Sequence, residues 1–417
     1  MVDIPSPAIA VVGRHNSGKT TLVEKLIGEL CARGNDIGSI KHHHKLGFEF
    51  DIPGKDSYRH RMAGASETVI AAPDQIARIR SLEHEIECAQ IVETMPGHDL
   101  IIVEGYRKSG LPTIEIMRSG NDADQKVAAC FIEGARSGEP LGTDFVQKAR
   151  GDRAFDIEGI EGKLPTAATV AVATDIPDVH RASASYGIPS FDINNVKGIA
   201  DFLEEHYVRP KVTVVIQAGG ESRRMGRSKA TVPFRGRPLI CRLIERLNVA
   251  SDELIITSNE RENLAFIDEM YPELNIRIVS DSVNYRGALP GLLTALRAAS
   301  NPFVAVVACD MIFASPRLVI AEAITMKESG ADIVVPVNKH GYEPFHAIYK
   351  KKTCLPVVLE GVAAGERRAQ AVFDKLSIRE FTQSEVLAAE PMGGCFVNAN
   401  TPDELKAIED SFIEGRR

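Results

Sequence analysis

Two apolar, strand-like runs pass directly into glycine turns that carry basic residues: AIAVVGRHNSGKTTL at 8–22 and VVIQAGGESRRMGRSK at 214–229. A strand that ends in such a turn and continues as a helix fits the C-terminal edge of a parallel sheet covered by crossover helices. The rest of the chain agrees with this. Apolar runs alternate with amphipathic stretches, which predicts an α/β fold. The strand-like runs of the first half are AIAVV, DIGSIKH, SETVIAA, DLIIVEG, TIEIMR and ATVAVAT; those of the second are VTVVIQ, ELIITSN, IRIVSD, FVAVVACD and DIVVPVN. A helix over 18–33 places Leu22, Leu26 and Leu30 on one face, with Val23 and Ile27 beside them and Gly34 as its C-cap. A second helix, 196–207, closes the first half, and Pro210 then breaks regularity. We therefore expect two three-layer α/β domains, 1–208 and 209–417. A chain of 417 residues is long enough for both.

Composition narrows the function classes. Lys plus Arg number 49 and Asp plus Glu 57, a net charge of −8. A mildly acidic chain is poorly suited to bulk nucleic-acid binding, which rests on neutralising phosphates. The apolar runs are strand-length, far short of the roughly 20 residues that span a bilayer. Seven cysteines are scattered without CxxC spacing, and an acidic residue stands near the N-terminus where a signal peptide carries basic ones. Both point to a cytoplasmic protein with reduced thiols.

The first turn, GRHNSGKT at 13–20, fits G-x-x-x-x-G-K-[ST] in full. Gly13, Ser17 and Gly18 let backbone N–H groups turn inward around phosphates. Lys19 adds a charge near the β and γ phosphates, the Thr20 hydroxyl is a ligand for Mg²⁺, and Thr21 continues the helix N-terminus. The carboxylate that completes a metal site is expected at Glu104, at the end of DLIIVEG; a solvated strand-end Glu is the plain alternative. The polar stretch 41–65 opens with His42, His43 and His44. Three consecutive His cannot face one metal from a regular element, so an anion- or partner-binding loop is favoured over a metal site.

The second turn is not a P-loop, because Lys229 does not directly follow a glycine. Gly219 and Gly220 permit close approach to a triphosphate. Arg223, Arg224 and Lys229 supply cations suited to a reaction in which pyrophosphate departs.

The first half resembles the MobB family of molybdopterin-guanine dinucleotide biosynthesis over about residues 6–208, through the P-loop, PGKDSYRHRMAGA and VEGYRKSGLPTIEIMR. The resemblance implies a P-loop NTPase-like domain that binds GTP, hydrolyses it weakly and assists a partner enzyme as a homodimer. The second half, 212–417, resembles the MobA family of molybdenum cofactor guanylyltransferases through AGGxSxRMGxxK, PFRGRPLI, GERRAQAVF and FVNANTPDEL. This implies a Rossmann-like nucleotidyltransferase domain using GTP, molybdopterin and Mg²⁺. Carried onto this sequence, the nucleotide residues are Gln217, Ala218, Gly219, Gly220, Gly226, Lys229, Asn259, Asp281 and Asp310. Lys229, Arg224 and Asp310 are catalytic, and Asp310 is also the metal ligand. Asp310 ends an apolar strand, where a hard cation is presented to phosphates; as a helix N-cap for SPRLVIAEAI it is a poorer choice than Ser315. Asp281 either accepts from guanine or caps a turn. Asn398 is a polar ligand or, slightly favoured, an Asx-turn residue. The turn GALPG departs from the family's G-P-L-A-G, with Pro290 shifted. Molybdopterin-insertion proteins and apo-molybdoenzymes are the implied downstream partners. A CTP-dependent cytidylyltransferase and a largely non-catalytic cofactor-delivery adaptor are the alternatives; the intact second motif weighs against the latter.

Overall fold

The computed structural model describes residues 5–43, 47–141, 162–219, 228–283, 285–399 and 401–414. The chain divides into two compact units, Pro5–Val208 and a second beginning at Arg209. Each is built on one main sheet.

In the first unit the strands are β1 (Ala8–Val12), β2 (Ile37–Lys41), β3 (Glu67–Ala71), β4 (Ile76–Arg80), β5 (Leu100–Glu104), β6 (Thr113–Met117), β7 (Thr169–Thr174) and β8 (Ser190–Asp192). Six of them form an all-parallel sheet in the order β2-β5-β1-β6-β7-β8. The inner strands are buried along nearly their whole length because helices cover both faces. The helix Lys19–Ala32 buries Leu22, Val23, Leu26 and Leu30 against Ile9, Val11 and the helix Val196–His206. It ends on Gly34: the N–H of Gly34 donates to Cys31 O (2.9 Å) and that of Asn35 to Leu30 O (3.1 Å), the pattern of a Schellman cap. The opposite face carries Ala10, Val12, Ile101 and Val103.

The run SETVIAA does not join this sheet. β3 pairs antiparallel with β4 in a separate ribbon, and only Thr68 of β3 is buried. The turn between them, AAPDQ, closes with Ala72 N donating to Gln75 O at 2.8 Å. A Pro-Asp turn of this length reverses the chain at once and leaves no room for a crossover helix.

The second unit contains β9 (Val212–Gln217), a small ribbon of β10 (Pro233–Phe234) and β11 (Arg237–Pro238), then β12 (Glu253–Thr257), β13 (Arg277–Val279), β14 (Phe303–Ala308), β15 (Ile333–Asn338), β16 (Gly341–Tyr342), β17 (His346–Lys350) and β18 (Ile378–Phe381). The main sheet runs β13-β12-β9-β14-β17-β15-β16, with β18 also on β15. β12, β13, β9 and β14 are parallel, whereas β17 is antiparallel to both β14 and β15. A wholly parallel sheet is therefore not what forms here. The reversal is local: Pro344 interrupts the run before His346, and HAIYK is buried although only its centre is apolar. Apolar cores fill both faces of the sheet. All seven cysteines are free, and six are buried. No helix among the described residues is long and apolar enough to cross a membrane.

Candidate functional site

The first glycine loop lies at the end of β1, between β5 and β6. Gly18 caps the following helix at φ 86°, a left-handed conformation that a side chain would strain. Asn16 shares that region at φ 60°. The loop coils so tightly that Ser17 is fully buried, with a hydroxyl that makes no hydrogen bond among the described residues. Lys19 folds back and donates to Gly13 O (3.1 Å) and Arg14 O (2.5 Å). Burial lowers its pKa, against the pull of Glu104 and Asp124. Its ammonium thus rests on the loop's own carbonyls.

Beside it, Thr20 Oγ1 donates to Glu104 Oε1 at 2.8 Å, and Lys41 Nζ lies 3.3 Å from Glu104 Oε2. A hydroxyl and a carboxylate oxygen in contact are a donor set that suits Mg²⁺, which takes one or two protein oxygens and fills the rest of its shell with water and phosphate. Thr21 is exposed on the helix's first turn. Arg107 grips Glu115 with both guanidinium nitrogens, one at 2.6 Å. Burial raises the Glu115 pKa despite this partner. His42 stacks on Tyr106 and pairs with Glu85 at 2.6 Å, while His43 packs on Phe48. They serve different neighbours; His44 is outside the described residues, and no His, Cys, Asp or Glu cluster fit for a metal forms among the described residues.

The second loop leaves β9, whose neighbours are β12 and β14. Here Gln217, Ala218, Gly219, Lys229, Thr257, Asp281, Arg286, Gly291, Asp310 and Phe345 line a cleft of about 450 Å³, a size suited to a small ligand. Backbone bonds hold its floor: Ala218 N donates to Thr257 O (2.8 Å) and Cys309 N to Gln217 O (3.0 Å). A Cβ on Gly291 would stand 3.2 Å from the Gln217 amide, so the glycine leaves that side chain its place. Gln217 Nε2 is buried without a hydrogen bond among the described residues. Asn259 and Asp281 exchange two hydrogen bonds, Nδ2 to Oδ2 at 2.6 Å and Asp281 N to Oδ1 at 2.9 Å. Asp281 Oδ2 lies toward Gly219, 3.7 Å from where a Cβ on that glycine would stand. Across the cleft, Lys229 Nζ donates to Asp310 Oδ2 at 2.8 Å. Burial, reinforced by Asp310, pushes the neighbouring Cys309 thiol up to about 12, so it is no nucleophile at neutral pH.

The loop after Asp310 is fixed from several sides. Ser315, not Asp310, caps the helix Pro316–Ser329 by accepting from Leu318 N. From the helix Leu239–Leu247, Arg242 donates to Ile312 O (3.1 Å) and Arg246 to Ala314 O (3.0 Å). Met311 bridges to Asn398, and Ala399 N donates to Asp310 O. Pro290 falls in the first turn of the helix Ala288–Ala298, where a missing N–H costs nothing. The shifted proline of GALPG is therefore compatible with the turn. Arg367, from GERRAQAVF, accepts there from Leu289 N through its carbonyl at 3.0 Å.

The profile of molybdopterin guanine dinucleotide synthesis protein B, MobB, matches residues 8–131, and that of the MobA-like NTP transferase domain matches 214–380. A molybdenum cofactor guanylyltransferase of Desulfosudis oleivorans is 32% identical over 206 residues, 49% of this chain and 98% of that protein. The molybdopterin-guanine dinucleotide biosynthesis adapter protein of Escherichia coli is 32% identical over 204 residues, 48% of this chain and 92% of that one. The chain belongs to the molybdenum cofactor guanylyltransferase family, with a MobB domain fused ahead of it.

Within the MobA-like unit, one cleft gathers Gln217, Ala218, Gly219, Lys229, Asp281 and Asp310, with Asn259 hydrogen-bonded to Asp281. Gly220, Arg223, Arg224 and Gly226 lie outside the described residues. Within the MobB domain, Gly13, Ser17, Gly18, Lys19, Thr20 and Glu104 meet at one sheet edge. Sequence reasoning missed Arg286 and Phe345 on the cleft wall and the Arg242–Arg246 clamp. The arginines stand four apart on one helix, a signal that reads equally well as a solvated face.

Proposed function

We propose that the MobA-like unit transfers GMP from GTP to the terminal phosphate of molybdopterin, and that the MobB domain binds GTP as a helper. The carrying observation is the Lys229–Asp310 pair facing Asp281 across one cleft. An oxygen of the acceptor phosphate attacks the α-phosphorus of GTP, a new P–O bond forms, and the bond to the β-phosphate bridging oxygen breaks. Pyrophosphate leaves with that electron pair. A phosphate nucleophile is already ionised, so no general base is needed. Asp310 would hold a Mg²⁺ ion, which supplies charge neutralisation on the triphosphate. Lys229 and Arg224 stabilise the charge that grows on the departing pyrophosphate. Asp281 accepts hydrogen bonds from the guanine edge, while Gly219 and Gly220 let the backbone close on the phosphates.

In the MobB domain, Lys19 contacts the β and γ phosphates, and Thr20 with Glu104 would hold a second Mg²⁺. Slow GTP hydrolysis there belongs to the same reading. Exposed Phe48, Phe50, Ile52 and Ile76 support pairing of two copies through this domain. Fusion keeps helper and enzyme at high effective concentration.

Transfer assays with the purified chain, molybdopterin and each NTP test this reading. GTP should be preferred over CTP by more than about tenfold, because a site that hydrogen-bonds one base leaves polar groups unpaired with another. Equal turnover with CTP would replace the guanylyl assignment with a cytidylyl one. Absence of turnover with every NTP would favour the adaptor role.

A further inference from the structure

A polar pair lies inside the apolar core of the MobA-like unit: Glu322, from the helix Pro316–Ser329, and His346, the first residue of β17. Both side chains are wholly buried. We infer that His346 is a positioning residue for the transfer reaction, its Nε2 fixing the far end of the loop that begins at Asp310. This rests on the reading that the cleft transfers a nucleotidyl group.

The other ties on that loop leave one task to His346. Arg242 and Arg246 hold carbonyl oxygens, those of Ile312 and Ala314. Met311 N donates to Ala308 O at 3.1 Å and Ala314 N to Met311 O at 3.0 Å. The last N–H before the helix belongs to Ser315, which is fully buried, and it donates to His346 Nε2 at 3.2 Å. A buried N–H that loses its partner is costly, so the backbone would move to find another. Ser315 Oγ accepts from Leu318 N at 3.3 Å and donates to Glu390 at 2.8 Å, so the residue that ends the loop also starts the helix.

The backbone of His346 reaches the cleft as well. It directly follows Phe345, which borders the cleft and whose carbonyl accepts from Ala308 N at 2.9 Å. In the antiparallel pairing of β17 with β14, His346 stands opposite Val307 on the strand that leads to Asp310. One residue thus joins that strand, the wall beside Asp310 and the loop that leaves it. A shift in the seat of the ring is felt on both sides of the cleft's charged edge.

Glu322 gives the ring its direction. It lies about two turns along the helix from Ser315, so both stand on one face. Glu322 Oε1 is 3.4 Å from His346 Nδ1. With Nε2 accepting from Ser315, the ring proton sits on Nδ1, the side toward the carboxyl. Phe396 packs at 88° to the ring with centroids 5.7 Å apart. Burying two polar groups where apolar side chains of the same volume would pack is unfavourable. What the pair supplies in return is an oriented acceptor, which no apolar side chain offers.

Steady-state transfer kinetics on the full chain, beside thermal melts and amide hydrogen exchange of the segment 310–319, test the inference. His346→Leu removes the acceptor and keeps an apolar side chain in its seat. It should lower kcat by about tenfold or more, because a small misplacement near the reacting groups is expensive. The KM for GTP should stay within about twofold, and exchange at 310–319 should speed up. His346→Gln should restore most of kcat and slow exchange again, because its amide oxygen falls near the position of Nε2. If His346→Leu does not fold, His346→Phe, which keeps a ring without the acceptor, takes its place with the same expected losses. Parental kcat in whichever of these two is folded overturns the inference, as does a loss in His346→Gln equal to theirs. A parent chain inactive with every NTP overturns the transfer reading. Exchange that is faster in His346→Leu and normal in His346→Gln then still makes His346 the anchor of the loop, whereas exchange alike in all three chains overturns both.

Discussion

Lys229 Nζ and Asp310 Oδ2 stand 2.8 Å apart, joining the end of the second glycine loop to the end of β14 across 81 positions of sequence. Each side chain is about one-fifth exposed, at 22% and 23%. A pair this open adds little to folding. On the proposed function its consequence is for ligand binding: each charge holds the other at the cleft until phosphates and a cation take over.

Lys229→Ala should therefore lower kcat by about 10² or more, with a smaller effect on GTP affinity. Asp310→Ala should lose activity that extra Mg²⁺ restores poorly. Steady-state kinetics beside thermal melts decide this. Near-normal kcat in either folded variant means that the second loop is not the catalytic one.

Lys19→Ala should remove nucleotide binding from the MobB domain and leave guanylyl transfer largely intact. Binding and transfer are measured on the same preparation. A well-folded 209–417 fragment without transfer activity would show that the division into helper and enzyme is wrong.

Arg242 and Arg246 donate to carbonyls of the loop that follows Asp310, and Arg242 also stacks on Phe234 and Phe313. Replacing either with Met leaves carbonyls without donors and should cost about 1–3 kcal/mol in denaturant unfolding. A drifting Asp310 should lower kcat while the KM for GTP hardly moves. Lys should rescue poorly, because it lacks the planar fork. Unchanged kcat in both Met variants would reduce the clamp to a purely structural part.

Glu322 and His346 are both fully buried, with His346 Nδ1 3.4 Å from Glu322 Oε1. Burial pushes the Glu322 carboxyl from 4.5 up to about 7, although His346 opposes the rise. His346 Nε2 accepts from Ser315 N, and Ser315 Oγ in turn donates to Glu390. Between those two values the native state binds more protons than the unfolded chain, so this group's contribution falls as pH rises through that window. Glu322→Gln should flatten the dependence and raise the relative stability at about pH 8 compared with about pH 5. Urea midpoints at the two pH values are the check. A variant as pH-sensitive as the parent would assign the effect to other groups.

Much of the fold was legible because buried parallel strands are continuous apolar runs: LIIV of β5 and FVAVVA of β14 announce themselves. SETVIAA forms the strand its composition favours, but its Pro-Asp turn pairs it with β4 in a ribbon instead of the main sheet. HAIYK was overlooked because His346 and Lys350 flank a short apolar centre, and its burial comes from tertiary neighbours. At the sites, contiguous motifs were readable and distant pairings were not. Lys19 and Thr20 sit in one phrase of sequence, whereas Lys229 and Asp310 are 81 positions apart and meet only because β9 pairs with β14.

The reversed strand β17 has a consequence for how the cleft can change. Because it runs against β14, it offers its beginning, not its end, to the ligand edge. Ala308 N donates to Phe345 O, and Phe345 joins the lining. The wall beside Asp310 is therefore the short connection Glu343–Phe345 between β16 and β17, and not a crossover loop leading into a helix. It is tied to β15 by Glu343 N, which donates to Pro336 O at 2.9 Å, so its path is fixed where Phe345 borders the cleft. A larger or smaller side chain at Phe345 would therefore narrow or widen the cleft while β14 stays in place, making this short connection a point at which the cleft's size can be retuned.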